Sequence, residues 1–206
     1  MLHAVRTTEP GLLSRLLAPF TVVRPGEAAT ALLLASNVFL LLVAYYLIKP
    51  VREALILPVL GAEFKAYLSG AIAVALLFAV PAYSRLVDRF SRIALLVGVT
   101  LSFAAELVVF YVLTSLEAMK PFAVVIAPVF YVWIGIFNMM LVAQFYAYAN
   151  DLYSEEQGKR LLPLIVLGGS VGAVIGSKIA AELIPRFGIA PMLLAAAFLL
   201  CACAAL

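Results

Sequence analysis

Six stretches of this chain meet or approach the length of apolar helix that crosses a bilayer: 28–48, 66–87, 93–116, 122–149, 161–184 and 189–206. A span needs about 20 residues, because each adds about 1.5 Å to a helix that must cover about 30 Å of hydrocarbon. Charges and turn formers are concentrated in the connections KPVREALILPVLGAEFK, DRFSR, EAMK, NDLYSEEQGKR and PRFG, none of which has room for a soluble domain. Backbone groups in lipid must satisfy one another, so the expected fold is an all-α transmembrane bundle of six helices. Composition agrees, with 66% hydrophobic and 12% charged residues.

Counting Lys and Arg on alternate sides orients the bundle. The side holding the N-terminal tail and the connections after the second and fourth runs carries eight, against five on the other side, with Lys178 inside a run. Both termini are therefore expected on the cytoplasmic side. Residues 1–27 hold Arg6, Arg15 and Arg24 but neither a long apolar core nor a small-residue cleavage site, so no cleaved leader is expected. Within this tail Leu12, Leu13, Leu16, Leu17 and Phe20 share one helical side with Arg15 opposite, which suits a short amphipathic helix on the inner membrane surface. The last run ends at CACAAL without a basic or aromatic anchor, so a fragment or one half of a longer carrier is expected.

Several function classes lack their residues. The net charge of +3 comes from scattered positions, so no nucleic-acid face is expected. Cys201 and Cys203 lie in an apolar run without acidic or His neighbours and read as packing residues, and His3, the sole histidine, sits in the polar tail. The sequence contains no Walker loop, HExxH, GxSxG or CxxC, so neither an enzyme nor a metal or cofactor site is expected.

Charges at bilayer depth cost at least about 2.5 to 3.5 kcal/mol each on insertion scales, so each asks for a reason. Glu106 lies fourteen residues into the third run, about 20 Å from its cytoplasmic end. Lys178 is the eighteenth residue of the fifth run, about 26 Å from that side, with Glu182 one turn further on. Lys49 and Arg52 stand one turn apart near the outer end of the first run, followed by Glu53. These residues would make a site rich in positive charge in the outer half of the bundle, where an anion relieves the repulsion between adjacent cations. The rival account is structural: the cations snorkel to the outer interface and Glu106 pairs with one of them to join helices.

Uncharged polar groups accompany them. Asn37 in the first run, and Asn138, Gln144, Tyr146, Tyr148 and Asn150 in the fourth, suit either a wet cavity or bonds between helices. Gly168, Gly172 and Gly176 recur every four residues beside Gly169 and Ser170, a smooth stripe against which another helix packs closely. Pro50, Pro81, Pro128 and Pro163 each remove a backbone hydrogen bond and favour bends.

The connection SRLVDRFSR resembles the signature loop of the major facilitator superfamily. Leu86, Asp88, Arg89 and Arg92 match its pattern, whereas Ser84 and Ser91 replace the usual glycines and Ile93 the last basic residue. The resemblance implies that Asp88, Arg89 and Arg92 belong to a charge network that closes the cytoplasmic side. YYLIKPVREALIL, the following Gly61, Ala62 and Glu63, and FYAYANDLYSEEQGKRLLPLIVLGGSVGAVIG together resemble the N-terminal half of the ATP/ADP translocase family, over most of residues 25–185. These are nucleotide carriers of plastids and intracellular bacteria, with bacterial relatives of unproven substrate.

That resemblance implies half of a facilitator-like transporter of about twelve helices, multi-pass in a bacterial inner membrane. The second six-helix half would come from the same chain beyond residue 206 or from a partner subunit. Lys49 would meet the nucleotide phosphates with Arg52 assisting; Glu53 stands where many members have Asp. The substrate-binding candidates are Lys49, Arg52, Glu53, Glu106, Asn150 and Lys178, and the gating candidates Asp88, Arg89 and Arg92. The expected partners are the lipid bilayer and an anionic small molecule, ATP and ADP among the candidates. Two alternatives stand beside this reading: a non-transporting membrane subunit or scaffold, and a facilitator-like carrier of a non-nucleotide solute.

Overall fold

The computed structural model describes Arg24 and residues 27–206, so the amphipathic helix expected in the tail lies outside the described residues. Among the described residues all regular structure is helical: α1 (Glu27–Leu60), α2 (Phe64–Val87), α3 (Arg92–Ser115), a 3-10 turn (Glu117–Phe122), α4 (Ala123–Leu152), α5 (Glu155–Phe187) and α6 (Ala190–Ala205). The first five α-helices, α4 together with its 3-10 lead-in, are long and apolar enough to cross a membrane. α6 has 16 residues and spans about 24 Å, which is shorter than the hydrocarbon core.

Two connections differ from the sequence expectation. The stretch after residue 48 is helical, because α1 continues through Pro50 and Pro58 to Leu60. A broken turn within the bundle would leave several backbone groups unbonded, whereas each proline removes one hydrogen bond, so the longer helix is retained. Ile48, Val51 and Ile56 on this extension are fully buried in the bundle. At the other end of the molecule, much of NDLYSEEQGKR is also helical. Ser154 caps α5: its hydroxyl accepts from the Gln157 N–H at 3.4 Å, and its own N–H donates to the Gln157 side chain at 3.1 Å. This reciprocal box satisfies two orphan donors and starts α5 at Glu155 rather than at residue 161.

The packing has an internal repeat. α1 lies along α5, α4 along α2, α1 against α6, α4 against α3, and the pairs α1–α4 and α3–α6 also touch. Exchanging α1, α2, α3 for α4, α5, α6 maps this set of pairs onto itself. Three is an odd number, so helices that reverse at each connection place the second triplet upside down relative to the first, as in the inverted repeats of helical carriers.

The closest of these contacts is α1 against α5. A Cβ on Gly168 would lie 2.7 Å from the Ala35 carbonyl oxygen and one on Gly176 2.8 Å from that of Val43, with Gly172 closer still to Phe39. The four-residue spacing on both helices sets backbone against backbone along the whole stripe. α2 is the opposite case. Leu68 is its only buried residue, and Tyr67, Leu77 and Phe78 are more than 70% exposed.

Candidate functional site

The C-terminal half of α1 carries Tyr45, Tyr46, Lys49, Arg52 and Glu53, all partly buried. Pro50 has no N–H, so the Tyr46 carbonyl one turn earlier loses its helical donor at this point. The Lys49 ammonium lies over the Tyr46 ring, 5.2 Å from its centroid. Arg52 turns towards α4, where its guanidinium carbon is 4.4 Å from the centre of the Tyr131 ring. Its Nε and Nη2 donate to one oxygen of Glu53 at 3.2 and 2.8 Å, while Lys65 from the start of α2 pairs with the other. The Arg52 side chain is only 15% exposed, so it does not snorkel away from the bundle.

Charge in this cluster is unbalanced. Among the described residues Arg52 and Lys65 share the Glu53 carboxylate as their one ion-pair partner, and Lys49 makes no ion pair. Aromatic faces supply the remaining attraction, which is worth about 0.5 to 2 kcal/mol per pair.

The structure divides the other candidate residues among different places. Glu106 accepts a hydrogen bond from the Trp133 indole on α4 and pairs with no cation among the described residues. Lys178 is exposed on α5, as are its neighbours Val174 and Glu182, and makes no ion pair among the described residues. Asn150 is exposed beside Asp151, at the end of α4 opposite Tyr131. Arg52 and Glu53 thus form one group with Lys65, Lys49 stands one turn before them on α1 against the Tyr46 ring, and Glu106, Asn150 and Lys178 share no hydrogen bond or ion pair with the group among the described residues.

At the gate positions Arg92 pairs with Asp151 at 3.0 Å and joins the start of α3 to the end of α4, whereas Asp88 and Arg89 are exposed without an ion pair among the described residues. A stronger contact on this side escaped the sequence reading. Arg160 donates from both terminal nitrogens to Glu27 at 3.1 and 3.0 Å, and Gln157 adds a third bond at 3.1 Å. Arg24 pairs with Glu156 at 2.6 Å beside it. Both members of the Glu27–Arg160 pair are less than 20% exposed, so α1 and α5 are locked where they begin. Tyr153 sits beside this lock; burial, with the nearby Glu27 carboxylate, pushes its phenol above the ordinary value. The local signal was the S-x-x-Q box, which fixes the start of α5, but nothing local pointed to Glu27.

The polar residues of the bundle interior also separate. Asn37 donates to the Cys203 carbonyl at 2.8 Å and accepts from its thiol at 3.2 Å, so this cysteine clips α6 to α1. Gln144 is 4% exposed and neither of its amide atoms has a partner among the described residues. A cavity of about 270 Å³, lined by Asn37, Thr100, Tyr148 and apolar side chains, lies among α1, α3, α4 and α6; it does not touch Lys49 or Arg52.

No family model, curated protein or solved structure matches the chain.

Proposed function

We propose that this chain is a six-helix half of a facilitator-like membrane carrier that moves a nucleotide or a related organic anion by alternating access. The observation that carries this reading is the cation excess around Glu53, with Lys49 lacking a carboxylate partner among the described residues. Charges at that depth are costly, and an anion shared among them lowers the cost. The inverted triplets support the architecture, because carriers of this kind hold their cargo where repeats meet. The resemblance to ATP/ADP translocases narrows the anion to a nucleotide.

Glu53 acts as a place-holder in this mechanism. With no cargo it neutralises Arg52 and Lys65 and so ties α1 to α2. A phosphate arriving at Lys49 competes for the same two donors. Each bond it takes from Glu53 weakens the tie, so cargo binding and movement of α2 are linked through one carboxylate. The exposed face of α2, with Tyr67, Leu77 and Phe78, belongs in this reading to the contact with the second half.

Replacing Lys49 with Gln and measuring uptake of labelled ATP into proteoliposomes tests the assignment. Uptake should be lost while the helical content stays unchanged; undiminished uptake overturns the role of Lys49. A thermal-shift panel of nucleotides and other organic anions separates the cargo classes. A scaffold would instead lose thermal stability on the same substitution and gain no protection from any anion.

A further inference from the structure

We propose that the seam between the start of α3 and the end of α4 seats a phospholipid with a primary ammonium headgroup, which lays one acyl chain into the cavity among α1, α3, α4 and α6. This rests on the reading of the chain as a membrane-spanning bundle, and not on its being a carrier.

Two recesses join to make the slot. The cavity of about 270 Å³ is lined by Ile93 of α3 and by Tyr148 and Leu152 of α4. The same three side chains line an open recess beside it, to which Ser91, Arg92 and Asp151 contribute the rest. Helices that reverse at each connection bring the starts of α1 and α3 and the ends of α4 and α6 to one side of the bundle, so depth in the slot is read along them. Arg92 and Asp151 stand at the rim, as the first residue of α3 and the last but one of α4. Thr30 and Tyr148 follow, about 5 Å from the start of α1 and about 6 Å from the end of α4. Both are partly buried, and neither hydroxyl has a hydrogen-bond partner among the described residues. Leu34, Leu41, Leu96, Val97 and Phe145 line the remainder. The polar groups among them are already engaged: Thr100 donates to the Leu96 carbonyl at 2.6 Å, and Asn37 is bonded to Cys203. The slot therefore runs from charge through hydroxyl to hydrocarbon, the order of headgroup, ester and chain along a phospholipid.

Charge at the rim selects the headgroup. Arg92 meets one oxygen of Asp151 through Nε at 3.0 Å, which leaves the two terminal nitrogens of Arg92 and the second oxygen of Asp151 without a partner among the described residues. A guanidinium fork suits a phosphate, and a carboxylate accepts from an ammonium N–H. A headgroup that carries phosphate alone brings a like charge towards Asp151, and a quaternary ammonium has no N–H to donate. A phosphoethanolamine head supplies both charges and the donors. In a bilayer its chain exchanges one apolar surrounding for another, so the headgroup decides which lipid is retained. The bound lipid bridges Arg92 and Asp151 and fills the space beneath them, which stiffens this end of the bundle.

The full chain in detergent micelles is melted while dioleoylphosphatidylethanolamine is added in steps, in parallel with phosphatidylglycerol and phosphatidylcholine of the same chains. The ethanolamine lipid should raise the melting midpoint at a concentration about tenfold below the other two, the factor of one charge-assisted hydrogen bond. Asp151→Asn should abolish its advantage over phosphatidylglycerol, and Arg92→Gln should weaken both. Val97→Phe, which puts a ring into the slot, should remove the effect of all three. Equal protection of the parent by the three lipids, or a preference that survives Asp151→Asn, overturns the proposal. Should Val97→Phe fail to fold, glycerophosphoethanolamine tests the slot on the parent: without chains it should give no protection, and protection equal to that of the lipid sinks the idea. Recovery of the chain in the soluble fraction without detergent would end the membrane reading itself. With the chain recovered only from membranes, indifference to the headgroup counts against this proposal alone.

Discussion

Under the exchange of triplets, the α1–α5 pair and the α4–α2 pair occupy equivalent places, yet they are built differently. α5 meets α1 through three glycines laid on backbone carbonyls and is clamped at its start by the Glu27–Arg160 lock. α2 meets α4 chiefly through side chains: Ile72 fills the space that Gly135 leaves open, and Leu68 is its one buried residue. Its tie to α1 is the shared Glu53 carboxylate. One pair is a rigid spine and the other a loosely held arm, so motion within the six-helix unit is expected in α2. The loosely held arm is also the helix that supplies Lys65 to the cation cluster.

Gly172→Leu should break the comparison most severely. The new side chain meets the Phe39 carbonyl, which cannot rotate away, so α1 and α5 must separate; a loss of about 3 kcal/mol or more, or failure to accumulate in membranes, is expected in a thermal melt. Glu27→Gln comes next at about 2 kcal/mol, because it exchanges two charge-assisted bonds for neutral ones at a pair that is largely shielded from solvent. Glu53→Gln should cost about 1 kcal/mol or less, since that carboxylate is more exposed, yet it should raise the thermal protection given by an anion by removing its competitor. Gly135→Ala should cost about 1 kcal/mol. A Cβ there meets both γ carbons as well as the δ carbon of the stiff, β-branched Ile72, and the helix propensity gained, about 1 kcal/mol, offsets only part of that crowding. If Gly135→Ala proved as damaging as Gly172→Leu, the distinction between spine and arm would not survive.

Run length and spacing were legible in the amino-acid order. The apolar runs mark the five long helices, and the Gly168, Gly172 and Gly176 spacing marks the tightest interface, because both depend on periodicity within one segment. Helix ends were harder to read. Pro50 and the charges after it look like a connection, and only the burial of Val51 and Ile56 against neighbouring helices shows that α1 continues. The candidate site was half readable: Lys49, Arg52 and Glu53 are grouped by local spacing alone. Tyr131 and Lys65, which complete the cluster, come from other helices.

Glu106 shows where the division falls. The need to explain it follows from sequence position, since about 20 Å of apolar helix separates it from the start of its run. Its partner does not follow: Trp133 lies 27 residues away and meets it because α3 and α4 are rotated to face each other. The same holds for Lys178, which the rotation of α5 leaves on an exposed face while the glycine stripe takes the face towards α1. Sequence alone determined which segments become apolar helices and which residues need explaining, because a backbone in lipid must bond within its own segment. Tertiary structure alone decided which charge meets which partner, because each helix can turn about its axis at little cost to its internal bonds until packing selects one orientation.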